Sequence, residues 1–394
     1  MELYRIKTIN RIAPEGLSLF GSNYQVGPDV ANPHGIVVRS DQLDIDDYPE
    51  LLAVARAGAG VNNITVDKAT KQGICIFNTP GANANAVAEL LFAMLGVEMR
   101  HIHQGVEFCK ELAGLDDAAI SQAVESRKAT FRGVELAGKN LGVVGVGKIG
   151  AMVANGGVQR QMQVVAFDPS PALENIHTLS YDVKLSRNLG SVLQQAEIVS
   201  IHVPLNKKTH GLVNREFIAQ MQPGATLINF SRGEIVEDAA VLAALDAGKL
   251  DGYITDFPNH LNLAHPRVLT SPHLGASTEE SEENCACLAV SEIKDYLEYG
   301  TISRSVNFPT VESIPSGSCH ARLIMINRDI PGMIGFASNI IGSNGINIGS
   351  YLNESNGFIG YNIIDVESPI PLDVIAQIEA HPDVIRTRIM SCHN

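Results

Sequence analysis

No tryptophan occurs in the sequence and aromatic residues make up only 5% of it, so any core must be built from aliphatic side chains. Positive charge is in the minority: 29 Lys and Arg stand against 43 Asp and Glu, for a formal net charge of −14. Wrapping a nucleic-acid backbone relies on clustered Lys and Arg. No nucleic-acid partner is therefore expected, while a small anionic substrate remains compatible with local positive charge. Long apolar runs are missing too. None reaches the roughly 18 residues of a bilayer span, and the opening "MELYRIKTIN" lacks the apolar stretch of a signal peptide. No membrane association is expected, and the cytoplasm is the expected location. Cysteine is sparse: the six, at 75, 109, 285, 287, 319 and 392, are scattered, and the close pair Cys285 and Cys287 has no second pair to complete a zinc site. Free thiols and no metal are expected.

What is present is the grammar of an α/β protein, in a chain long enough for two or three domains. The runs "HGIVVRS", "LLAVARAG" and "ICIFNTPG" read as strands, and in the helical run that follows Val87, Leu90, Leu91, Met94 and Leu95 recur at helical spacing. A second series, "NLGVVGVGKIG", "QVVAFDP", "AEIVSIHVPL", "ATLINFSRG" and "DGYITDF", has short apolar runs ending in polar or glycine turns, as strands of a parallel sheet buried on both faces do. After the helical "TEESEENCACLAVSEIKDYLEYG", a stretch rich in Pro, Ser and Gly over 307–318 reads as a linker. The remainder reads strand, helix, strand, strand, helix, strand, a ferredoxin-like βαββαβ module.

In "GVVGVGKIG", Gly145, Gly147 and Gly150 have the G-x-G-x-x-G spacing at a strand-to-helix turn, with Lys148 and Ile149 in the same turn. Such glycines let the backbone approach a pyrophosphate at a helix N-terminus. The bare pattern also occurs without a ligand. Asp168 ends the next strand, where an acid would bond a ribose hydroxyl; beside Pro169 it could equally be a turn former. No Lys or Arg follows in "PSPALENIH", which favours NAD over NADP. Hydride transfer from a secondary alcohol also needs a base and a cation for the substrate carboxylate. His273 in "SPHLGAST" and Arg232 in "NFSRGE" follow strands, at the ends where open α/β sheets bind ligands. A surface Arg and a capping or core His are the plainer alternatives.

Taken in order, "RAGAGVNNI", "NTPGANANAVAEL", "LAGKNLGVVGVGKIG", "HVPLNKKTHGLVN", "INFSRGEIVED" and "SPHLGAST" resemble the D-isomer-specific 2-hydroxyacid dehydrogenase family over nearly the whole chain. The resemblance implies two Rossmann-like doubly wound domains, with substrate between them: 1–97 with 276–306 for substrate, and 98–275 for NAD. It implies that Arg232 binds the substrate carboxylate and His273 is the general acid/base. Asp256 would lie near the nicotinamide, with Phe230, Ser231 and Gly275 lining the cofactor. His202, Val203 and Pro204 fall on its adenine side, His202 reading as a strand-end residue rather than a second base. The small-residue loop from Ala57 matches one whose backbone N–H groups, here at Ala59, Gly60 and Val61, hold the carboxylate. Arg39 and Ser40 match a phosphate-binding pair, and Asn83 another substrate contact. An arginine fork suits a phosphate. The C-terminal residues 319–394 resemble an ACT regulatory domain. Together these features imply oxidation of 3-phosphoglycerate to 3-phosphohydroxypyruvate, in a homodimer or homotetramer.

Two departures from the family pattern stand out. The glutamate that orients the base, four or five residues beyond the position of Asp256, is missing: Phe257 to Pro272 holds no Asp or Glu, and His260 and Leu261 occupy the window. Another acid such as Asp256 or Glu279, an unaided His273 working over a shifted pH range, and weak activity are the competing explanations. His265, before Pro266, reads as structural or solvent-exposed. In the ACT-like module Asn327 and Asp329 stand where serine-inhibited relatives use a histidine and an asparagine, and Asn347 matches a second-strand asparagine. L-Serine is thus one candidate effector and purely structural pairing the other. Two rival functions remain: a dehydrogenase of another D-2-hydroxy acid, and a catalytically weak NAD-sensing regulatory protein.

Overall fold

The structure is a computed structural model that describes residues 3–315 and 317–392. Met1, Glu2, Ser316, His393 and Asn394, which fall at the chain ends and within the expected linker, lie outside the described residues. In chain order the first strands are β1 (Tyr4–Ile9), β2 (Tyr24–Gly27), β3 (Gly35–Val38), β4 (Ala53–Arg56) and β5 (Cys75–Asn78). They form a parallel sheet in the order β2-β1-β3-β4-β5. Next come β6 (Asn140–Val144), β7 (Gln163–Phe167), β8 (Lys184–Ser186), β9 (Ile198–Ile201), β10 (Ala225–Asn229), β11 (Leu250–Thr255) and β12 (Val268–Thr270). Their parallel sheet runs β12-β11-β10-β9-β6-β7-β8, so the strand order reverses between β6 and β9, as in dinucleotide-binding folds. Last, β13 (Ala321–Arg328), β14 (Ile348–Ser355), β15 (Ile359–Val366) and β16 (Val384–Ser391) make an antiparallel sheet in the order β14-β15-β13-β16. Two doubly wound sheets and a ferredoxin-like module are the architecture expected. No helix among the described residues is long and apolar enough to cross a membrane.

The chain divides into two compact units, one of residues 1–82 with 279–394 and one of residues 83–278. The first crossing thus lies at residue 82 rather than 97. Its cause is the helix Ala84–Met99, whose Val87, Leu91 and Leu95 share a cluster with Leu141, Val143 and Val153 of the nucleotide-type half. The C-terminal module also differs from a separate domain on a linker. Along β13 and β15 the side chains alternate: Leu323, Met325, Ile364 and Val366 pack with the module's own helices, while Ile324, Ile326, Tyr361 and Ile363 join the core of the first sheet with Val37, Phe77 and Ile293. β15 is consequently buried at every position. The 307–318 stretch is held down too: Phe308 and Val311 are in that core, and Ile302 and Val311 exchange backbone hydrogen bonds of 2.8 and 2.9 Å.

One buried ion pair fastens this junction. Arg322, 1% exposed, donates from Nε and Nη2 to the two Asp365 oxygens at 2.7 and 2.8 Å, and from Nη1 to the carbonyls of Tyr299 and Ser313, both at 2.7 Å. The charge is matched and its donors are engaged, as burial of an arginine requires.

One expectation needs correction here. Cys319 and Cys392 are joined as a disulfide, with Cα atoms 5.6 Å apart; Cys75, Cys109, Cys285 and Cys287 remain free thiols. The pairing of Ala321 with Ser391 in the β13–β16 ladder brings together cysteines 73 residues apart in sequence. The three residues matched to an effector site have partners of their own. Asn327 is 2% exposed and bonds within the protein, donating to the Arg328 carbonyl at 2.7 Å and accepting from Asn362 Nδ2 at 2.6 Å. Asp329 accepts from Ser355 Oγ at 2.5 Å and Asn347 donates to Glu367 at 2.7 Å, so the three residues share no partner.

Removing one member of a buried pair strands the other. Arg322→Ala should lower the unfolding free energy by about 3–5 kcal/mol, measured by denaturant unfolding of the whole chain; a loss below about 1 kcal/mol would mean that water reaches Asp365.

Candidate active site

The site is built from one row of the seven-stranded sheet. Phe167 pairs with Val144, Val144 with Ile201, Ile201 with Asn229, Asn229 with Thr255, and Thr255 with Thr270. The residues immediately beyond this row are the ones singled out from the sequence: Asp168, Gly145, His202, Phe230, Asp256 and, two further on, Arg232 and His273.

After β6 the chain turns at Gly145 with φ +98°, a conformation open to glycine but rarely to other residues. A Cβ there would lie 2.6 Å from the His202 carbonyl oxygen, and one on Gly150 would lie 2.0 Å from the Gly145 oxygen. These two glycines serve the fold. Gly147 is different: it is the N-cap of the helix Lys148–Gln159, and a Cβ on it would meet nothing within 4 Å. Its open side, at a helix N-terminus, is room that a phosphate group would use. Asp168 accepts the Val146 and Ser170 N–H groups at 2.8 Å each, so it braces the glycine turn from the end of β7. His202 bonds Ser200 Oγ through Nε2 at 2.7 Å, and burial drives its pKa down to about 3. A histidine held neutral in this way is a strand-end support.

Arg232, Asp256 and His273 leave three adjacent strands. The fully buried Asn229 organises the first, donating to the Arg232 carbonyl at 2.8 Å and accepting the Ser231 N–H at 3.1 Å. Ser231 Oγ donates to the Ile201 carbonyl, and Thr255 Oγ1 to that of Asn229, so β9, β10 and β11 are cross-braced at their ends. His273 has φ +53° and its N–H reaches the Asp256 carbonyl at 3.1 Å and that of Ser271 at 3.0 Å. Its exposed ring meets Phe257 edge-on, with ring centres 5.0 Å apart. Asp256 is 1% exposed; Oδ2 accepts the Gly275 N–H at 3.3 Å and Oδ1 has no partner among the described residues. Burial raises the Asp256 pKa, and the nearby charges of His273 and Arg232 pull it back. An unpaired buried carboxylate oxygen is an acceptor awaiting a donor, and a carboxamide would supply one.

Phe257, Asn229 and Thr255 were not recognised from sequence; a polar residue ending an apolar run, as in "LIN", was the available signal. The loop beyond Phe257 is shaped by Asp238, which accepts from Asn259 and Asn262 at 2.8 and 3.3 Å. His260 is exposed, whereas His265 is tied between Asp246 at 3.3 Å and the Arg267 N–H at 3.1 Å, a structural role.

The other unit carries its own group of polar contacts. After β4, Arg56 bonds the Gly60 carbonyl at 2.7 Å and Asn78 bonds that of Ala59 at 2.5 Å. Those contacts turn the carbonyls inward, and no described residue accepts the N–H groups of Ala59, Gly60 or Val61. At the end of β3, Asn10 Oδ1 accepts the N–H groups of Arg39, Ser40 and Asp41, and Arg39 Nη2 donates to Glu282 at 2.6 Å. Asn83 opens the helix of the nucleotide-type unit, with its Oδ1 buried and unpaired among the described residues.

Residues 99–275 match the family model described as D-isomer specific 2-hydroxyacid dehydrogenase, NAD binding domain. A D-3-phosphoglycerate dehydrogenase of Haemophilus influenzae is 30% identical over 88% of this chain and 83% of its own length. The one from Bacillus subtilis is 37% identical over 66% of this chain, and the chain spans about half of that relative, 48%. Among solved structures, the NAD+-bound 3-phosphoglycerate dehydrogenase of Entamoeba histolytica aligns with a TM-score of 0.60 at 26% identity, covering 77% of this chain and 98% of its own.

The glycines separate fold from ligand. Gly147→Ala should leave the melting temperature close to wild type and weaken NAD binding, whereas Gly150→Ala should lower the melting temperature itself. Calorimetric titration and thermal unfolding of both variants check this, and equal NAD affinity for Gly147→Ala and wild type would contradict it.

Proposed function

This chain belongs to the D-isomer specific 2-hydroxyacid dehydrogenase family, and on that premise we propose that it oxidises 3-phospho-D-glycerate to 3-phosphohydroxypyruvate with NAD, the first step of L-serine biosynthesis. The observation that carries the proposal is the convergence of Arg232, Asp256 and His273 at the ends of β10, β11 and β12, in the same row as the glycine turn of β6. Bound NAD supplies the hydride acceptor, and the residues suited to hold it are the 145–150 turn, Asp168, Val203, Pro204, Phe230, Ser231 and the open Oδ1 of Asp256.

Arg232 binds the substrate carboxylate and polarises the forming carbonyl, with the N–H groups of Ala59, Gly60 and Val61 as further donors. Oxidation removes the C2 hydroxyl proton to a ring nitrogen of His273 as hydride leaves C2; reduction reverses both transfers. Asp256 supplies the negative charge that steadies protonated His273, acting through its field rather than a direct side-chain bond, while the Asp256–His273 backbone bond holds the two residues together. Phe257, edge-on to the ring, limits its rotation. In this way the enzyme works without the usual glutamate. Arg39 and Ser40 take the phosphate and Asn83 a substrate oxygen. The proposal places the enzyme in the cytoplasm as a homodimer or homotetramer, with L-serine as the candidate effector of the C-terminal module.

Initial rates with 3-phospho-D-glycerate and NAD test the reading. His273→Ala should lower kcat by roughly 10²–10⁴-fold while NAD still binds, and undiminished turnover would remove His273 from the mechanism. Asp256 gives a second expectation with the opposite sign for stability. Its folded-state pKa is raised, so its contribution to stability is fully present below the ordinary carboxylate range and is lost as pH rises through the raised value. Asp256→Asn should therefore melt at or above the wild-type temperature at neutral pH, with the gap closing in acid, and should turn over more slowly. A variant that melts lower at neutral pH would show that the carboxylate is not strained.

A further inference from the structure

The pocket at the end of β3 holds an ion pair that the proposed substrate would have to break. Three successive backbone N–H groups, those of Arg39, Ser40 and Asp41, would make an anion-binding nest, but all three already bond the single oxygen Asn10 Oδ1, at 3.3, 3.0 and 3.1 Å. Arg11 and Arg39 are then the cationic donors left for a phosphate, and Arg39 is engaged with Glu282 at 2.6 Å. Both side chains are about two-fifths exposed, at 38% and 40%, so the pair is within reach of a ligand from solvent. Arg11, Ile12, Arg39, Ala57, Glu282 and Ala286 enclose a shallow pocket there.

Glu282 is held in this place by packing. It lies in the first turn of the helix Glu279–Tyr299, whose next turn is buried through Cys285 and Ala286. The short helix Pro14–Leu17 presses on that turn so closely that a Cβ on Gly16 would lie 2.6 Å from the Ala286 Cβ. The helix cannot slide without opening this contact, so the backbone of Glu282 stays beside Arg39.

We propose that Glu282 is a specificity-determining residue: an internal carboxylate that competes with the substrate phosphate for Arg39 and so holds down the enzyme's preference for phosphorylated over unphosphorylated 2-hydroxy acids. The inference rests on the reading of Arg39 as the phosphate ligand. A partly exposed pair of this kind is weak enough to be displaced, worth about 1 kcal/mol or less, so it tunes affinity rather than abolishing it. A phosphate dianion arriving at Arg39 meets the carboxylate's charge as well as the arginine's, whereas an uncharged hydroxymethyl end meets neither strongly.

The test compares wild type, Glu282→Gln, Glu282→Asp and Arg39→Ala as full-length chains. Each is titrated with inorganic phosphate and assayed with 3-phospho-D-glycerate against D-glycerate. Glu282→Gln should bind phosphate more tightly by up to about fivefold, the equivalent of the ion pair it frees, and raise the kcat/KM ratio of the phosphorylated to the unphosphorylated substrate. Glu282→Asp keeps the charge and should stay nearer wild type than Glu282→Gln, and Arg39→Ala should weaken phosphate binding and lower the ratio. Unchanged or weaker phosphate binding by Glu282→Gln would overturn the competitor role, as would equal effects of Gln and Asp. A wild-type chain inactive on 3-phospho-D-glycerate would refute the proposed function instead, and the phosphate titrations would still decide the role of Glu282.

Discussion

Phe167, Val144, Ile201, Asn229, Thr255 and Thr270 stand abreast across six strands of the larger parallel sheet. Parallel strands joined by crossover helices all present their carboxyl ends on one side, so whatever follows this row is gathered there whatever its position in sequence. The glycine turn, the acid at its flank, and Arg232, Asp256 and His273 are the products of that register. A one-residue slip of β11 or β12 would reverse which face its side chains meet and carry Asp256 or His273 away. The bonds from Ser231 to Ile201 and from Thr255 to Asn229 guard against such a slip, at the strand ends where a slip would matter most.

On the proposed reading, one acid does what two do elsewhere in the family. Asp256 keeps a buried oxygen open for a cofactor donor while its backbone carbonyl fixes His273 and its charge balances the positive groups beside it. Charge burial is costly, and the raised pKa is the mark of that cost. In the other unit the solution is the reverse: Arg322 is surrounded by acceptors and matched to Asp365, and it knits the C-terminal module into the first sheet's core instead of leaving it on a tether. A perturbation of that module acts on β13 and β15, which share a core with the sheet carrying Arg39 and the Ala59–Val61 loop.

The parts of this arrangement that were readable from sequence are those with a local signature. The glycine spacing, an acid closing the next strand, and a His or Arg after an apolar run each lie within a few residues, and the three sheets follow from runs of strand length separated by turns. The unread parts depend on contacts between distant residues. The disulfide joins positions 73 apart, Arg39 and Glu282 are more than half the chain apart, and both faces of β15 are buried because a second core lies against it. The boundary at residue 82 belongs to the same class, since an apolar helix such as Ala84–Met99 carries no mark of which core it will join. The missing glutamate was visible as an absence, with Asp256 among the candidate substitutes; the backbone bond that ties Asp256 to His273 across 17 positions was not, because no residue-type pattern records it.

The account turns on the chemistry assigned to the row of strand ends, and a crystal structure of the chain with NAD and 3-phosphohydroxypyruvate tests it most directly. The expected result has the pyrophosphate against Gly147, the carboxamide on Asp256 Oδ1, the substrate carboxylate on Arg232, and the carbonyl oxygen within hydrogen-bond reach of the His273 ring. A substrate bound away from Arg232 and His273, with the dinucleotide in its turn, would contradict it.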